Sequence, residues 1–227
     1  MILAIESATP CGSVAIVSGD RVLGETILPA GKQVSETFLS AVDRLLGNSV
    51  RGSEAVTHVA VSAGPGSFTG LRVGMAAAKG FCFGWGLPIV PVPTLHALAS
   101  RFRVGEAAIC PVLDARRKEV YAGVFLWKGG ECVRTAPDRA LNPRDLPGLL
   151  PPGDVFFCGD GTVPYGEMIR ERMGARALFP PPGEGLPRAS AVGLMAVRMI
   201  RDEQVAEARS VVPAYLRLSE AEVKRRP

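Results

Sequence analysis

Two carboxylates stand where a short apolar run stops: Glu6 after Ile2-Leu3-Ala4-Ile5, and Asp114 after Ala107–Leu113. An acid at the end of a buried strand can hold magnesium, and a glycine two residues later lets backbone amides approach a phosphate. Here Ala8 and Arg116 occupy those later positions. Each puts a side chain where phosphate would press in. Glu6 and Asp114 are therefore expected to cap turns and are only weak nucleotide or magnesium candidates; no cofactor is expected. The histidines are His58 and His96, with no second histidine three to five residues from either, so a metal site on a histidine pair is not expected. Ser67 lies in Gly66-Ser67-Phe68-Thr69-Gly70, one place early for a Gly-x-Ser-x-Gly nucleophile elbow, and no catalytic residue is assigned. The Gly64–Gly70 turn has amides that attract anions, but neither the lysine of a P-loop nor Rossmann spacing.

Beyond that turn, Gly70, Gly74 and Ala78 recur at i, i+4 and i+8, with Ala77 and Gly80 adding small residues. Glycines inside a helix cost about 1 kcal/mol each relative to alanine, so close packing should offset them. The smooth strip suits either the preceding helix of the same chain or a partner chain. Phe68, Leu71 and Met75 beside it would favour the partner if exposed.

The elements that carry these residues follow from periodicity. Ile2–Glu6, Ser13–Val17 and Arg21–Leu28 read as an antiparallel meander. Val34, Phe38, Val42 and Leu45 give one apolar face to a helix over Ser35–Leu46, ended by Gly47-Asn48. A strand over Thr57–Ser62, a helix running to about Gly84, a strand over Leu87–Val92 and a helix over Leu95–Arg101 with Thr94 as N-cap complete a β-β-β-α-β-α-β-α order. That order matches a ribonuclease-H-like lobe, and so a two-lobed actin-like (ASKHA superfamily) α/β fold with mixed sheets and flanking helices. The expected division is 1–104 for the first lobe, 105–217 for a smaller second lobe, and 218–227 for a tail. In the second lobe, Ala107–Leu113, Glu119–Leu126, Glu131–Thr135 and Val155–Cys158 read as strands, Ala136–Gly153 as a proline-rich loop, and Ser190–Arg201 as a helix.

With 47% hydrophobic and 21% charged residues the chain has an ordinary globular composition, and a formal charge of +4 permits an acidic partner without arguing for one. Arg116-Arg117-Lys118 and Lys224-Arg225-Arg226 read as solvated charge, the first also as a candidate RNA contact. The cysteines (Cys11, Cys82, Cys110, Cys132, Cys158) are scattered and odd in number, which suits buried thiols in a reducing compartment. The start lacks signal-peptide features, and no apolar run approaches the roughly 20 residues of a membrane helix. A cytoplasmic location without membrane contact is expected.

The run Ser62-Ala63-Gly64-Pro65-Gly66-Ser67-Phe68-Thr69-Gly70-Leu71-Arg72-Val73-Gly74 resembles the signature of the bacterial TsaB (YeaZ) family. Ile2–Thr9, Leu113–Tyr121 and Pro213–Arg217 agree with it, so the resemblance spans nearly the whole chain. It implies an accessory role in tRNA threonylcarbamoyladenosine biosynthesis. The implied partners are the catalytic paralogue TsaD, as a heterodimer, and the ATPase TsaE in a ternary complex. It also implies homodimers in isolation and only indirect contact with tRNA. Because family members use first-lobe helices as their interface, the resemblance puts Phe38, Phe68, Gly70, Leu71, Gly74, Met75, Ala77 and Ala78 at a partner surface. The chain departs from the family in Val34-Ser35-Glu36, where a histidine commonly precedes the serine, and in Ile5-Glu6, where Ile-Asp is usual. The competing reading is an enzyme, a small-molecule kinase or M22-like peptidase working in the inter-lobe cleft.

Overall fold

The computed structural model describes residues 1–28, 34–47 and 52–216. The expected tail 218–227, Arg217, Asn48 and the side chains of Val34, Ser35 and Glu36 lie outside the described residues. Contacts divide the chain into two units: Met1–Ala97 with Pro187–Pro213, and Leu98–Leu186 with the segment from Ala214 onward.

The first unit is built on a five-stranded sheet of β1 (Ile2–Glu6), β2 (Gly12–Ser18), β3 (Arg21–Leu28), β4 (His58–Gly64) and β5 (Ile89–Pro93). Its order is β3-β2-β1-β4-β5; β1 pairs antiparallel with β2 and parallel with β4. Helices α1 (Val34–Gly47), α2 (Phe68–Trp85) and α3 (Thr94–Ser100) follow in the expected order. Strand alternation splits β1 between two cores. Leu3 and Ile5 join Phe38, Val42 and Leu46 of α1 and Met75, Ala78 and Cys82 of α2. Ile2 and Ala4 join Ala60, Val90 and Val92 under a helix from far along the chain, α5 (Ala189–Arg201).

The position of α5 differs from a division at 104/105, which would place it in the second lobe. Its apolar face of Ala189, Val192 and Ala196 lies against the first sheet. Its amino end is fastened there too. Ala189 N–H donates to Ser13 Oγ at 2.8 Å, and Ser190 donates from N to Glu25 Oε1 at 2.9 Å and from Oγ to Oε2 at 3.0 Å. A carboxylate at a helix amino terminus answers both its unpaired amides and its dipole. Gly193 brings α5 within contact of the strands: a Cβ there would stand 2.5 Å from Val17 Cγ2 and 3.2 Å from Ala4 Cβ.

The second unit holds the sheet β10-β9-β6-β7-β8, from β6 (Ala108–Arg116), β7 (Glu119–Lys128), β8 (Glu131–Leu141), β9 (Val155–Cys158) and β10 (Ala177–Leu178). One face is covered by α4 (Thr162–Met173) and the 3-10 turn Pro143–Leu149. Two elements differ from the sequence reading. Strand β8 continues through Ala136–Leu141, because Pro137 falls on an edge strand at a register shift, where a missing N–H breaks no ladder bond. Helix α4 replaces an unassigned stretch; Pro164 is tolerated in its first turn. Thr94 stands at the start of α3, and its Oγ1 accepts from Gly64 N at 3.0 Å, tying β5 to the end of β4.

The tight α5 contact gives a stability test. Gly193→Val should lower the free energy of unfolding in urea by about 1–3 kcal/mol, the usual effect of overpacking a filled interface.

Candidate functional site

Three places gather the candidate residues. The first is the end of β1. The Glu6 carboxylate accepts the N–H of Ala8, so the acid closes its own turn. Ser7 N–H donates to Ser62 Oγ at 3.2 Å, and the Ala8 carbonyl accepts from Ser67 N at 2.7 Å. Ser67, read as a misplaced nucleophile, is the N-cap of α2: its Oγ accepts from Gly70 N at 3.2 Å. Ser67 N and Gly70 N are two of the amides that could receive an anion at the start of α2. The chain's own carbonyl and hydroxyl take them instead.

The turn presses directly on the glycine strip. A Cβ on Gly66 would lie 2.6 Å from Ala8 Cβ and Ala8 O, one on Gly70 2.1 Å from Ser7 O, and one on Gly74 2.0 Å from Ser7 Oγ. Glycine is needed at all three because Ser7 and Ala8 fill the groove, with backbone at Gly70, backbone and Cβ at Gly66, and the Ser7 side chain at Gly74. Gly70, Gly74 and Ala78 therefore face inward. This corrects the expected partner surface. Phe38 and Leu71 have 0% exposure, Met75 has 3%, and Gly74 and Ala78 are buried with them, serving the core of the first unit. Phe68 and Ala77 are half-buried, and Phe68 lies under the Arg72 guanidinium at 3.7 Å from the ring centre.

The second place is the opposite face of α2 with the flank of α1. Ala76, Gly80 and Gly84, again four residues apart, are exposed, and a Cβ on Gly80 or Gly84 would meet nothing within 4 Å. Beside them Phe83 is 68% exposed, and Leu39 of α1 is 62% exposed. Between the helices runs a groove of about 540 Å³ lined by Leu39, Val42, Leu46, Phe81 and Trp85 among others. Phe81 and Trp85 stack at 4.9 Å between ring centres. The sequence carried a signal for this face: the Ala76–Gly80–Gly84 spacing is visible, but the stronger Gly70–Gly74–Ala78 strip hides it.

The third place is the end of β6. Asp114 does not stand as an open ligand. Its Oδ1 accepts from Arg116 N at 2.8 Å, and its Oδ2 pairs with Arg116 Nη1 at 3.2 Å. Asp160, in the loop before α4, accepts the Asp114 N–H at 3.1 Å through Oδ1. Burial above all pushes the Asp160 carboxyl up to about 6; the Asp114 amide and Arg116 oppose this, and the Asp114 charge adds to it. Arg116 and Glu119 pair across β6 and β7, leaving Arg117-Lys118 as a two-residue loop. Arg116, Arg117 and Lys118 have φ of 62°, 54° and 63°. Residues with a Cβ cost about 1–2 kcal/mol each in that left-handed region. All three are exposed.

His58 is half-buried at the start of β4, its Nδ1 3.0 Å from Thr57 Oγ1. Partial burial, and then the terminal amine, hold its pKa below the ordinary value. Cys82, Cys110, Cys132 and Cys158 are buried, and burial pushes Cys110 up to about 12. Among the described residues, no group of histidines, cysteines and carboxylates could hold a metal ion.

Two predictions follow from this geometry. Gly70→Ala should destabilise the chain by more than about 2 kcal/mol, since backbone must move, whereas Gly80→Ala should stabilise it by up to about 1 kcal/mol; denaturant midpoints check both. For Asp160, the folded state holds a proton more tightly than the unfolded state, whose ordinary value is 3.8. Its stabilising contribution is complete below about 4 and is lost as pH rises through about 6. Asp160→Asn keeps the acceptor oxygen. It should raise stability at pH 7 by up to about 2 kcal/mol and by much less at pH 4, as read by thermal melts at the two pH values.

Comparison with known proteins gives these features a setting. Residues 27–225 match the family model described as "TsaD: tRNA N6-adenosine threonylcarbamoyltransferase". The tRNA threonylcarbamoyladenosine biosynthesis protein TsaB of Bacillus subtilis is 31% identical over 225 residues, covering 98% of this chain and 96% of that protein. The solved structure of YeaZ from Pseudomonas aeruginosa is 28% identical, with a TM-score of 0.81, covering 95% of this chain and 99% of that one. An activator of 2-hydroxyisocaproyl-CoA dehydratase from Clostridium difficile, solved with bound ADPNP, shares 10% identity and a TM-score of 0.54, a likeness of fold alone. The fold is thus the actin-like arrangement of two mixed sheets with flanking helices. With full-length coverage in both sequence and structure, the chain belongs to the TsaB (YeaZ) family.

Proposed function

We propose that the chain is a non-catalytic subunit in tRNA threonylcarbamoyladenosine synthesis that binds a catalytic paralogue of the TsaD type through the exposed faces of α1 and α2. The observation that carries this reading is the division of α2 between two faces. The inward strip receives the Ser7–Ala8 turn, which takes up the amides and glycines a phosphate site would use. The outward strip, Ala76–Gly80–Gly84, stands open with exposed Phe83, and an apolar groove between α1 and α2 is lined by exposed Leu39 with Phe81 and Trp85. Small residues admit a partner helix closely, and a groove lined by Phe81 and Trp85 offers the aromatic surface on which hot spots form. The relatives' names supply the pathway.

In this reading the first lobe carries the interface, and isolated chains pair with one another through the same face. The ATPase TsaE joins the complex containing the paralogue, tRNA is modified by the paralogue, and the work is cytoplasmic. The purified chain alone neither hydrolyses ATP nor modifies tRNA. A kinase or peptidase reading needs a free carboxylate, whereas Glu6 and Asp114 engage their own turns.

The test is binding to the catalytic paralogue by pull-down and titration. Gly84→Arg and Phe83→Asp should each weaken the complex at least about tenfold, with the melting temperature of Gly84→Arg unchanged or raised because a side chain there meets nothing within 4 Å and glycine is a poor helix former. Unchanged affinity in both variants removes the interface. Magnesium-ATP binding by calorimetry, lost in Glu6→Ala or Asp114→Ala, would replace the subunit reading with the enzymatic one.

A further inference from the structure

We infer that the tip of the β6–β7 hairpin, Arg116-Arg117-Lys118, is a contact for the phosphodiester backbone of RNA, made by this chain directly. The inference rests on the proposed place in tRNA modification and deepens it, because that reading leaves tRNA to the paralogue.

The argument begins with the turn. A two-residue hairpin loop with both residues at positive φ is a type I′ turn, and Asn-Gly or Gly-Gly sequences suit it. Here the two positions are Arg117 and Lys118. The residue before them, Arg116, is also left-handed, at a register shift after Asp114. Among the described residues these are three of the four non-glycine residues at positive φ, the other being Glu203. A turn that only had to reverse the chain would be better served by asparagine and glycine. Long cations at all three positions need a reason outside the turn.

Asp114 supplies the second observation. Its carboxylate takes the Arg116 amide through one oxygen and the Arg116 guanidinium through the other, while the Asp114 amide is anchored on Asp160. Arg116 is thereby fixed at the base of the tip even though its side chain is 75% exposed. A guanidinium has five donors, so a fork that spends one on Asp114 retains others for phosphate oxygens. Arg117 and Lys118 add charge at the exposed loop. The result is a cationic point on a hairpin with no aromatic group in the tip to stack on a base, which suits contact with phosphate.

The test uses the full chain and a fluorescently labelled, unmodified tRNA transcript, with anisotropy followed across a salt series. The informative variant is Arg117→Asn combined with Lys118→Gly, which improves the turn while removing two cations. It should melt at or above the parent temperature, yet bind the transcript about tenfold more weakly near physiological ionic strength. The slope of log K against log salt should become shallower by about 1.5. Arg116→Ala should weaken binding in the same direction. Unchanged affinity and slope in the double variant would overturn the inference. So would an equal loss toward a poly-glutamate probe, which would make the tip an acidic-protein contact. A parallel assay in complex with the catalytic paralogue separates the two readings. If the double variant assembles normally and raises the KM for tRNA, the inference stands. Normal assembly with unchanged KM removes the inference alone, and failure of the parent chain to assemble removes the subunit reading alone.

Discussion

The turn from β1 to β2 rests on the start of α2 with no side chain from the helix between them. This contact sets how the first unit is put together. Ser7 and Ala8 come so close that three successive positions, Gly66, Gly70 and Gly74, have no room for a Cβ. Three of the turn's backbone groups are satisfied locally: the Ala8 amide by Glu6, the Ser7 amide by Ser62, the Ala8 carbonyl by Ser67. Burying a backbone turn this deeply is tolerable only when such bonds are made. Because β1 is the central strand, the contact also fixes the height at which α2 crosses the sheet, and with it the packing of Met75 and Ala78 on Leu3 and Ile5.

The same contact removes one chemistry and leaves room for another. The space between a turn and a helix amino terminus is where an anion could meet free amides. Here peptide groups of the chain itself occupy it. With the inner face of α2 committed, the small residues of its outer face have no internal use, and each interior glycine there costs about 1 kcal/mol of helix stability. A close-packing helix from another chain would recover that cost, which makes the two phases of glycine on one helix intelligible together.

Much of this was legible in the sequence, and the limits have physical causes. The strands of the first unit announce themselves because their runs are buried on both faces or alternate cleanly, as Leu3 and Ile5 against Ile2 and Ala4 do. Helix α1 shows its 3.6-residue period because only one face is covered. The strip on α2 was visible, but spacing alone does not say what presses on it; the answer lies some sixty positions earlier, in a turn with no unusual residue apart from Ala8. Helix α4 was hidden by its proline, glycine and polar residues, whose cost is met by packing against the second sheet. Strand β8 was hidden by Pro137, which an edge strand accepts. The left-handed Arg116–Lys118 run could not be read at all, since nothing in those residue types favours positive φ.

The return of α5 to the first sheet bears on how the chain is made. Until residues 189–201 leave the ribosome, the face of the first sheet formed by Ile2, Ala4, Ala15, Ala60, Val90 and Val92 has no helix to cover it. The second unit's sheet and α4, by contrast, come from one continuous stretch and lack nothing upstream. The unit synthesised first is therefore the last to be completed. Its closing contacts join residues more than 160 apart in sequence, such as Glu25 with Ser190. Contacts of that span are slow to form, and a nascent sheet left bare for so long is a natural client for chaperones.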